Sequence, residues 1–311
     1  MDNKIIAIII AAIAIVAVGA FFLTSGGDTV TIGYLPSDHD AALFVADAQG
    51  QFASNGINTE LVQFNNGGDL MTAMASGDVD VGYVGITPVL ASIEKGVPVK
   101  VISAAQTEGS GLVVAKNSGI SSASDLAGKT IATPGEASIQ YMLLQYYLEQ
   151  NGMSLDDLKV SSMKVPSMND ALKTNKIDGM ITFEPYVTIA EKNGATVLAG
   201  SHDILPNHPC CVVVASDKFL KEHPNETNTI LEIHKNATEF INNNTDEAAS
   251  MIPSDIVSDV EVEKVAMSSF PFIYGLDDSY KQDVMDFMNL EVDIGVLKNP
   301  ISEQEIFWDG S

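Results

Sequence analysis

The sequence predicts an α/β protein built as two similar lobes facing each other across a cleft. Strand-like and helix-like segments alternate through residues 30–104, and the same itinerary recurs through residues 130–198. Four landmarks repeat in order: Asn55-Gly56 with Asn151-Gly152, Asp80 with Asp178, Pro88 with Pro185, and Gly96 with Gly194. Two further apolar runs, Leu112–Ala115 and Cys210–Ala215, stand between and after the repeats and predict two crossings that tie the lobes together.

In the first repeat, Val30–Leu35 is strand-like and Ala41–Ala53 carries apolar residues at helical spacing before the stop Asn55-Gly56. Ile57–Phe64 alternates as a strand, Leu70–Ala75 reads as a short helix and Val79–Val84 as another strand. Thr87-Pro88 opens the next helix, with Thr suited to the cap and Pro to the first turn. That helix stops at Gly96, before the buried strand Val97–Ala104. The second repeat reads Thr130–Thr133 (strand), Ala137–Gln150 (helix), Val160–Val165 (strand), Met168–Lys173 (helix), Ile177–Thr182 (strand), a helix opened by Pro185, and Ala195–Leu198 (strand). Such β-α-β order implies parallel pairing with helices on both faces. From Lys218 onward the chain reads as helices over 227–242, 246–252, 260–268 and 279–290, which would pad the first lobe. The expected divisions are 1–28 for an anchor and linker, 29–112 plus 213–311 for lobe I, and 113–212 for lobe II.

The chain has 311 residues, 41 acidic against 16 basic side chains, and a formal charge of −25. All sixteen basic residues are Lys. Such acidity opposes association with nucleic acid or anionic headgroups, because both recruit basic clusters. At 46% hydrophobic residues it supplies a core and is not a disordered acidic tail. Two Cys exclude a disulfide scaffold and a four-Cys zinc site.

Ile5–Leu23 is nineteen residues without a charge; as a helix it spans about 28 Å, close to the hydrocarbon thickness. Lys4 precedes it and Thr24–Asp28 follows as a polar linker, so the expected arrangement is a single anchor in the cell membrane with the body outside the cytoplasm. The alternative is a cleaved signal peptide, with Ala17-Val18-Gly19 at the processing site; the run is longer than the usual core of a signal. Sequons at Asn225, Asn236 and Asn243 carry no functional weight in a chain this rich in Asn, Ser and Thr.

Ligands of open α/β sheets sit beyond the carboxyl ends of strands, where helix amino termini present unpaired N–H groups. Five loops are therefore candidates: 36–40, 65–69, 85–87, 134–138 and 183–186. Gly67-Gly68, Gly85 and Gly135 allow close backbone approach, and Ser37, Thr87 and Ser138 supply hydroxyls. The same residue types also serve ordinary turns and caps. Without Arg no bidentate guanidinium clamp exists, so an anion must be held by N–H, hydroxyl, amide, His or Lys.

The ordered segments TIGYLP, ALFVADAQGQF, GDVDVGYVGITPVLASIEKGVPVKVI, SASDLAGKTIATPG, DGMITFEPY and DKFLKEHPNE resemble the sulfonate, nitrate and taurine substrate-binding proteins of ABC importers, a broad family that includes thiamine-precursor binders. The likeness runs over about residues 30 to 308 and ends in Glu305-Ile306-Phe307. It implies a type II periplasmic-binding fold that closes on a small solute and delivers it to a permease and its ATPase, with no catalysis and no cofactor. Carried over by position, ligand contacts fall on Ser37, Asp38, His39, Asn66, Gly85, Thr87, Gly135, Ser138, Glu184 and Tyr186.

Two stretches depart from that family pattern, Ser37-Asp38-His39-Asp40 and Asn207-His208-Pro209-Cys210-Cys211. His39 approaching His208, Cys210 and Cys211 across the cleft would make a site for a soft metal or metal chelate. The Cys pair could instead form a vicinal disulfide or pack as small hydrophobes. His202, His223 and His234 are expected at the surface or as caps. Enzyme readings fare worse. Gly128-Lys129-Thr130 has Ala123 where a phosphate loop needs Gly, and it precedes a strand instead of following one. Ser92–Lys95 and Ser161–Lys164 fit S-x-x-K, but no Ser-Asp-Asn or Lys-Thr-Gly partner exists. One relative of the fold is an enzyme, the pyrimidine-precursor synthase with a His and a Cys-rich stretch longer than the pair here.

Overall fold

A computed structural model describes residues 29–310; the expected anchor and linker lie outside them. Among the described residues no helix is long and apolar enough to cross a membrane. Within the described residues ten strands form two five-stranded sheets. The first contains β1 (Val30–Tyr34), β2 (Thr59–Gln63), β3 (Val81–Gly85), β4 (Val99–Thr107) and β10 (Pro209–Ser216), in the order β2-β1-β3-β10-β4. The second contains β5 (Ser110–Val114), β6 (Thr130–Thr133), β7 (Lys159–Ser162), β8 (Gly179–Phe183) and β9 (Thr196–Gly200), in the order β7-β6-β8-β5-β9.

The two orders are the same motif written twice. Strands β1, β2 and β3 pair in parallel, as do β6, β7 and β8. The fourth place in each sheet is taken by a crossing strand, and that strand runs antiparallel to both neighbours. All-parallel pairing, the expectation from β-α-β order, therefore fails at the crossings: β5 arrives from the other sheet through a two-residue link and β10 through the short helix Ser201–Ile204, and each enters its new sheet from the opposite end. The chain changes sheet between Thr107 and Ser110 and again between Gly200 and Pro209, so the expected divisions after 112 and 212 run through β5 and β10.

The repeated Asp landmark has a structural cause. Thr31 N–H donates to Asp80 Oδ2 at 2.9 Å, and Thr130 N–H donates to Asp178 Oδ2 at 2.8 Å. Each carboxylate fastens the strand-opening turn before β3 or β8 to the first strand of its own repeat. Truncating Asp178 to Ala leaves the Thr130 N–H unpaired and is expected to cost about 1–3 kcal/mol. Asp80→Ala should lose a similar amount in urea unfolding; an unchanged midpoint in both variants would remove this account of the landmark.

Central strands β3 and β8 are buried along their whole length, whereas the edge strands β2 and β7 are partly exposed. Helices flank both faces. The expected continuous helix 41–53 is broken into Ala41–Ala48 and Gln51–Ser54, because Gly50 takes a left-handed φ of 64°. Helix Pro224–Asn243 packs on Ala41–Ala48 and β4, and Asp278–Asp293 on β10, padding the first sheet as expected. Helix Val260–Met267 packs on the Asp38–Asp40 turn of the first repeat and also touches Tyr186–Lys192 of the second. His234 is a correction: it is buried, donates from Nε2 to the Ala104 carbonyl at 2.8 Å, and faces the Tyr83 hydroxyl through Nδ1. Burial pushes its imidazole down to about 4, so it is a neutral core residue.

Candidate binding cleft

All five candidate loops converge. Ser37, His39 and Asp40, Asn66 and Gly67, Gly85, Pro134 and Ser138, and Phe183 line one cavity between the sheets, with Cys210 and Cys211 on its floor. Counting its mouth, the cavity is about 450 Å³.

Bonds between the lobes hold a closed arrangement. The Ser37 hydroxyl donates to the Glu184 carbonyl at 2.9 Å, and the Tyr186 hydroxyl donates to the Pro36 carbonyl at 3.0 Å. Gln145 Nε2 reaches the Ile294 carbonyl at 2.6 Å. A Cβ on Gly85 would stand 3.1 Å from Ile139 Cδ1, so the absent side chain lets the facing repeats approach. At the hinge, Glu108 accepts from His202 Nδ1 at 2.7 Å and from Asn207 N–H at 2.6 Å, while its own N–H donates to the His208 carbonyl. These bonds lay the two crossings side by side.

The predicted contacts divide into two sets. Ser37, His39, Asn66, Gly85 and Ser138 line the cavity. Their polar groups are partly committed already: Ser37 Oγ caps His39 N–H, Asn66 Oδ1 caps Asp69 N–H, and Ser138 Oγ caps Tyr141 N–H. Thr87 does not line it and is not a cap. Gly85 occupies the cap of helix Ile86–Glu94, and the buried Thr87 hydroxyl donates to Glu291 in a short bond. Gly135 stands outside the lining with its carbonyl accepting from Ser138 Oγ at 2.6 Å. The Glu184 carboxylate accepts from Thr188 N–H and Oγ1, both at 3.0 Å, and so caps its own helix. Asp38 is fully buried behind the cavity.

Behind that wall lies an acidic patch that sequence reasoning missed. The carboxyls of Asp38 and Glu263 are buried against each other with no other hydrogen-bond partner, and Glu184 stands near both. Burial, then Glu263, Glu184 and Asp40, push the Asp38 carboxyl well above the usual range. Burial and the neighbouring Glu184 raise Glu263 to about 8. Glu184 is raised by burial, partly offset by the Thr188 bonds. Glu263 gave no local signal because it is 79 residues from Glu184 along the chain and meets it only when the lobes pack.

The cavity lining contains no Lys. Its electropositive features are the amino termini of helices Gly67–Ser76, Ile86–Glu94 and Ile139–Gln150, each with first-turn N–H groups that lack intrahelical partners.

The Cys and His residues meet within one lobe, not across the cleft. His39 follows β1 and the Cys pair lies on β10 of the same sheet. The thiols are free, and both approach His39 Nδ1, Cys210 at 3.8 Å and Cys211 at 3.7 Å. His208 stays outside this trio, stacked on Phe287.

Two sheet-centred lobes joined by antiparallel crossings, with strand-end loops of both around one cavity, define a two-lobed ligand-binding protein. The pattern of the NMT1-like family matches residues 25–253. The chain belongs to the NMT1-like family. It is 31% identical to the taurine-binding periplasmic protein of Escherichia coli over 56% of this chain, and that match spans about half (54%) of the relative's length. It is 27% identical to a putative aliphatic sulfonates-binding protein of Bacillus subtilis, over 76% of this chain and 73% of the relative. An enzyme is also similar: the 4-amino-5-hydroxymethyl-2-methylpyrimidine phosphate synthase of Saccharomyces cerevisiae, 24% identical over 68% of this chain and 66% of its own. Among solved structures, the alkanesulfonate-binding protein SsuA of Xanthomonas axonopodis pv. citri bound to MOPS superposes with a TM-score of 0.80 at 16% identity, covering 91% of this chain and 98% of that one. The ligand-binding component of an ABC-type import system from Staphylococcus aureus, with zinc bound, gives 0.79 at 23% identity, covering 91% and 97%. These superpositions establish the type II periplasmic-binding fold.

Proposed function

We propose that this protein is the solute-binding component of an ABC importer, held outside the cytoplasmic membrane by its amino-terminal apolar segment, and that it captures a small polar or anionic solute of the sulfonate, nitrate or taurine kind. One observation carries the reading: the five strand-end loops of both repeats line a single cavity sealed by bonds from lobe to lobe. Contacts from both lobes exist together only when the lobes are closed, so a solute that makes them shifts the protein toward closure. The closed shape then presents itself to the permease and its ATPase. An anionic headgroup is met by the helix amino termini, since no Lys lines the cavity. The names of the E. coli and B. subtilis relatives support a sulfonate-type solute. No group placed around the cavity is asked to perform a chemical step, so the solute is released unchanged.

The test is small-angle scattering of the protein with taurine, short alkanesulfonates and nitrate, alongside mass spectrometry of solute retained through purification. Compaction with at least one of them is expected. An envelope unchanged by every compound that binds would overturn the mechanism, and turnover of the bound compound would overturn the non-catalytic reading. Tyr186→Phe removes one lobe-to-lobe bond and is expected to weaken solute binding roughly 2- to 10-fold without altering the fold, as read by calorimetric titration.

A further inference from the structure

His39, Cys210 and Cys211 are all buried and all line the cavity floor, and their donor atoms lie within 4.8 Å of one another. The tautomer of His39 is set by its surroundings. Its Nε2 lies 2.9 Å from the Gly109 carbonyl, which can only accept, so Nε2 carries the proton and Nδ1 keeps its lone pair. That lone pair faces both sulfurs. An imidazole fixed by a backbone carbonyl on its far nitrogen is the arrangement that orients metal-ligating histidines.

The spacing agrees with the same chemistry. A tetrahedral zinc ion, with bonds of about 2.3 Å to sulfur and 2.0–2.1 Å to nitrogen, sets sulfur and nitrogen about 3.6 Å apart. The two sulfurs lie 3.8 and 3.7 Å from Nδ1. A single lone pair accepts one thiol proton only, so hydrogen bonding to His39 accounts for one of the two short approaches and leaves the other thiol to its neighbour. A second imidazole supports the pair from behind. His208 bonds the Leu205 carbonyl through Nδ1 at 2.7 Å, and its Nε2 is buried without a hydrogen-bond partner. By the same logic this Nε2 carries a lone pair, which can accept the Cys210 thiol proton.

We propose that His39 Nδ1, Cys210 Sγ and Cys211 Sγ form a three-donor site for a thiophilic closed-shell metal ion such as zinc(II), with the fourth position open to the cavity and His208 positioning Cys210 from behind. Two thiolates and one imidazole select a soft or borderline ion over calcium or magnesium. Because all three ligands belong to one lobe, the ion binds without lobe closure. The inference rests on the cleft reading only in that the open position lies where a solute would sit, so a bound ion would itself become a contact for a solute carrying a donor atom.

The experiment titrates cobalt(II), then competing zinc(II), into the reduced full-length protein and follows the absorption spectrum. One cobalt per chain is expected, with tetrahedral visible bands and thiolate-to-metal charge transfer. Cys210→Ser and Cys211→Ser should each weaken zinc at least roughly 100-fold and diminish the charge-transfer band, whereas the positioning variant His208→Gln should weaken it about 10- to 100-fold with that band retained. If a Cys variant fails to fold, alkylation of the native protein gives the same reading: cobalt binding must disappear, and zinc must protect both thiols. Cobalt spectra without charge transfer, or zinc affinity unchanged by both Cys variants, overturn the site. Scattering on metal-free protein separates this from the cleft reading. Compaction around a solute with no metal uptake sinks the metal site alone, and metal uptake with no compaction sinks the solute mechanism alone.

Discussion

Replacing Gly109 with alanine is expected to lower the melting temperature by roughly 3–9 °C. Gly109 sits in the two-residue link between β4 and β5, with a left-handed φ of 74°, and a Cβ built there collides with His39 Nε2. The backbone strain costs about 1–2 kcal/mol and the collision about 1–3 kcal/mol more. The Gly109 carbonyl also accepts from both His39 Nε2 and Glu184 N–H, so moving it loosens the hinge and the cavity floor together. Calorimetry on the purified variant measures the first effect, and solute titration measures the second. A melting temperature within a degree of the parent would show that the link yields freely and that His39 is not held by it.

Raising the pH from about 5 to 8 is expected to weaken the fold by a few kcal/mol. Burial and the nearby Glu184 raise the Glu263 carboxyl from its ordinary 4.5 to about 8, and burial raises Glu291 to about 8 against the opposing Thr87 bond. An acid whose pKa is raised in the folded state binds its proton more tightly there than in the unfolded chain. Its stabilisation is therefore complete below about 4.5 and is lost as the pH climbs through about 8. Around Glu263 the facing ionisable groups are Asp38, Glu184 and Tyr186, and around Asp38 they include Asp40; none of these is a Lys. Glu184 belongs to the second lobe and the other two carboxylates to the first-sheet side, so deprotonation also opposes closure and solute affinity should fall over the same interval. Glu263→Gln keeps the shape and abolishes one charge. It should flatten the dependence of melting temperature on pH and stabilise the protein most at pH 8. A slope equal to the parent's would contradict the assignment.

Much of the architecture was legible along the chain because it is fixed by local chemistry. Periodicity located every strand of both sheets within a few residues, and the Asp80 and Asp178 landmarks proved to be the same strand-opening bond used twice. The converging loops were legible too, since strand ends on one side of a parallel sheet must share that side. The polar roles within those loops were not. Thr87 reads as a cap or a ligand contact, yet Glu291, 204 residues away, claims its hydroxyl. His234 reads as a surface residue, yet Ala104 and Tyr83 enclose it.

By itself the sequence determined the alternating elements, their duplication, the lack of any guanidinium and the family to which the chain belongs. Only the tertiary structure decided that the crossing strands enter antiparallel, that Asp38, Glu184 and Glu263 share one buried patch, and that His39 meets both thiols within one lobe. The physical reason is range. Hydrophobic period and turn chemistry act over a few residues and leave their mark in local spelling, whereas a hydroxyl, carboxylate or imidazole takes its partner from whatever segment the packing brings within about 3 Å.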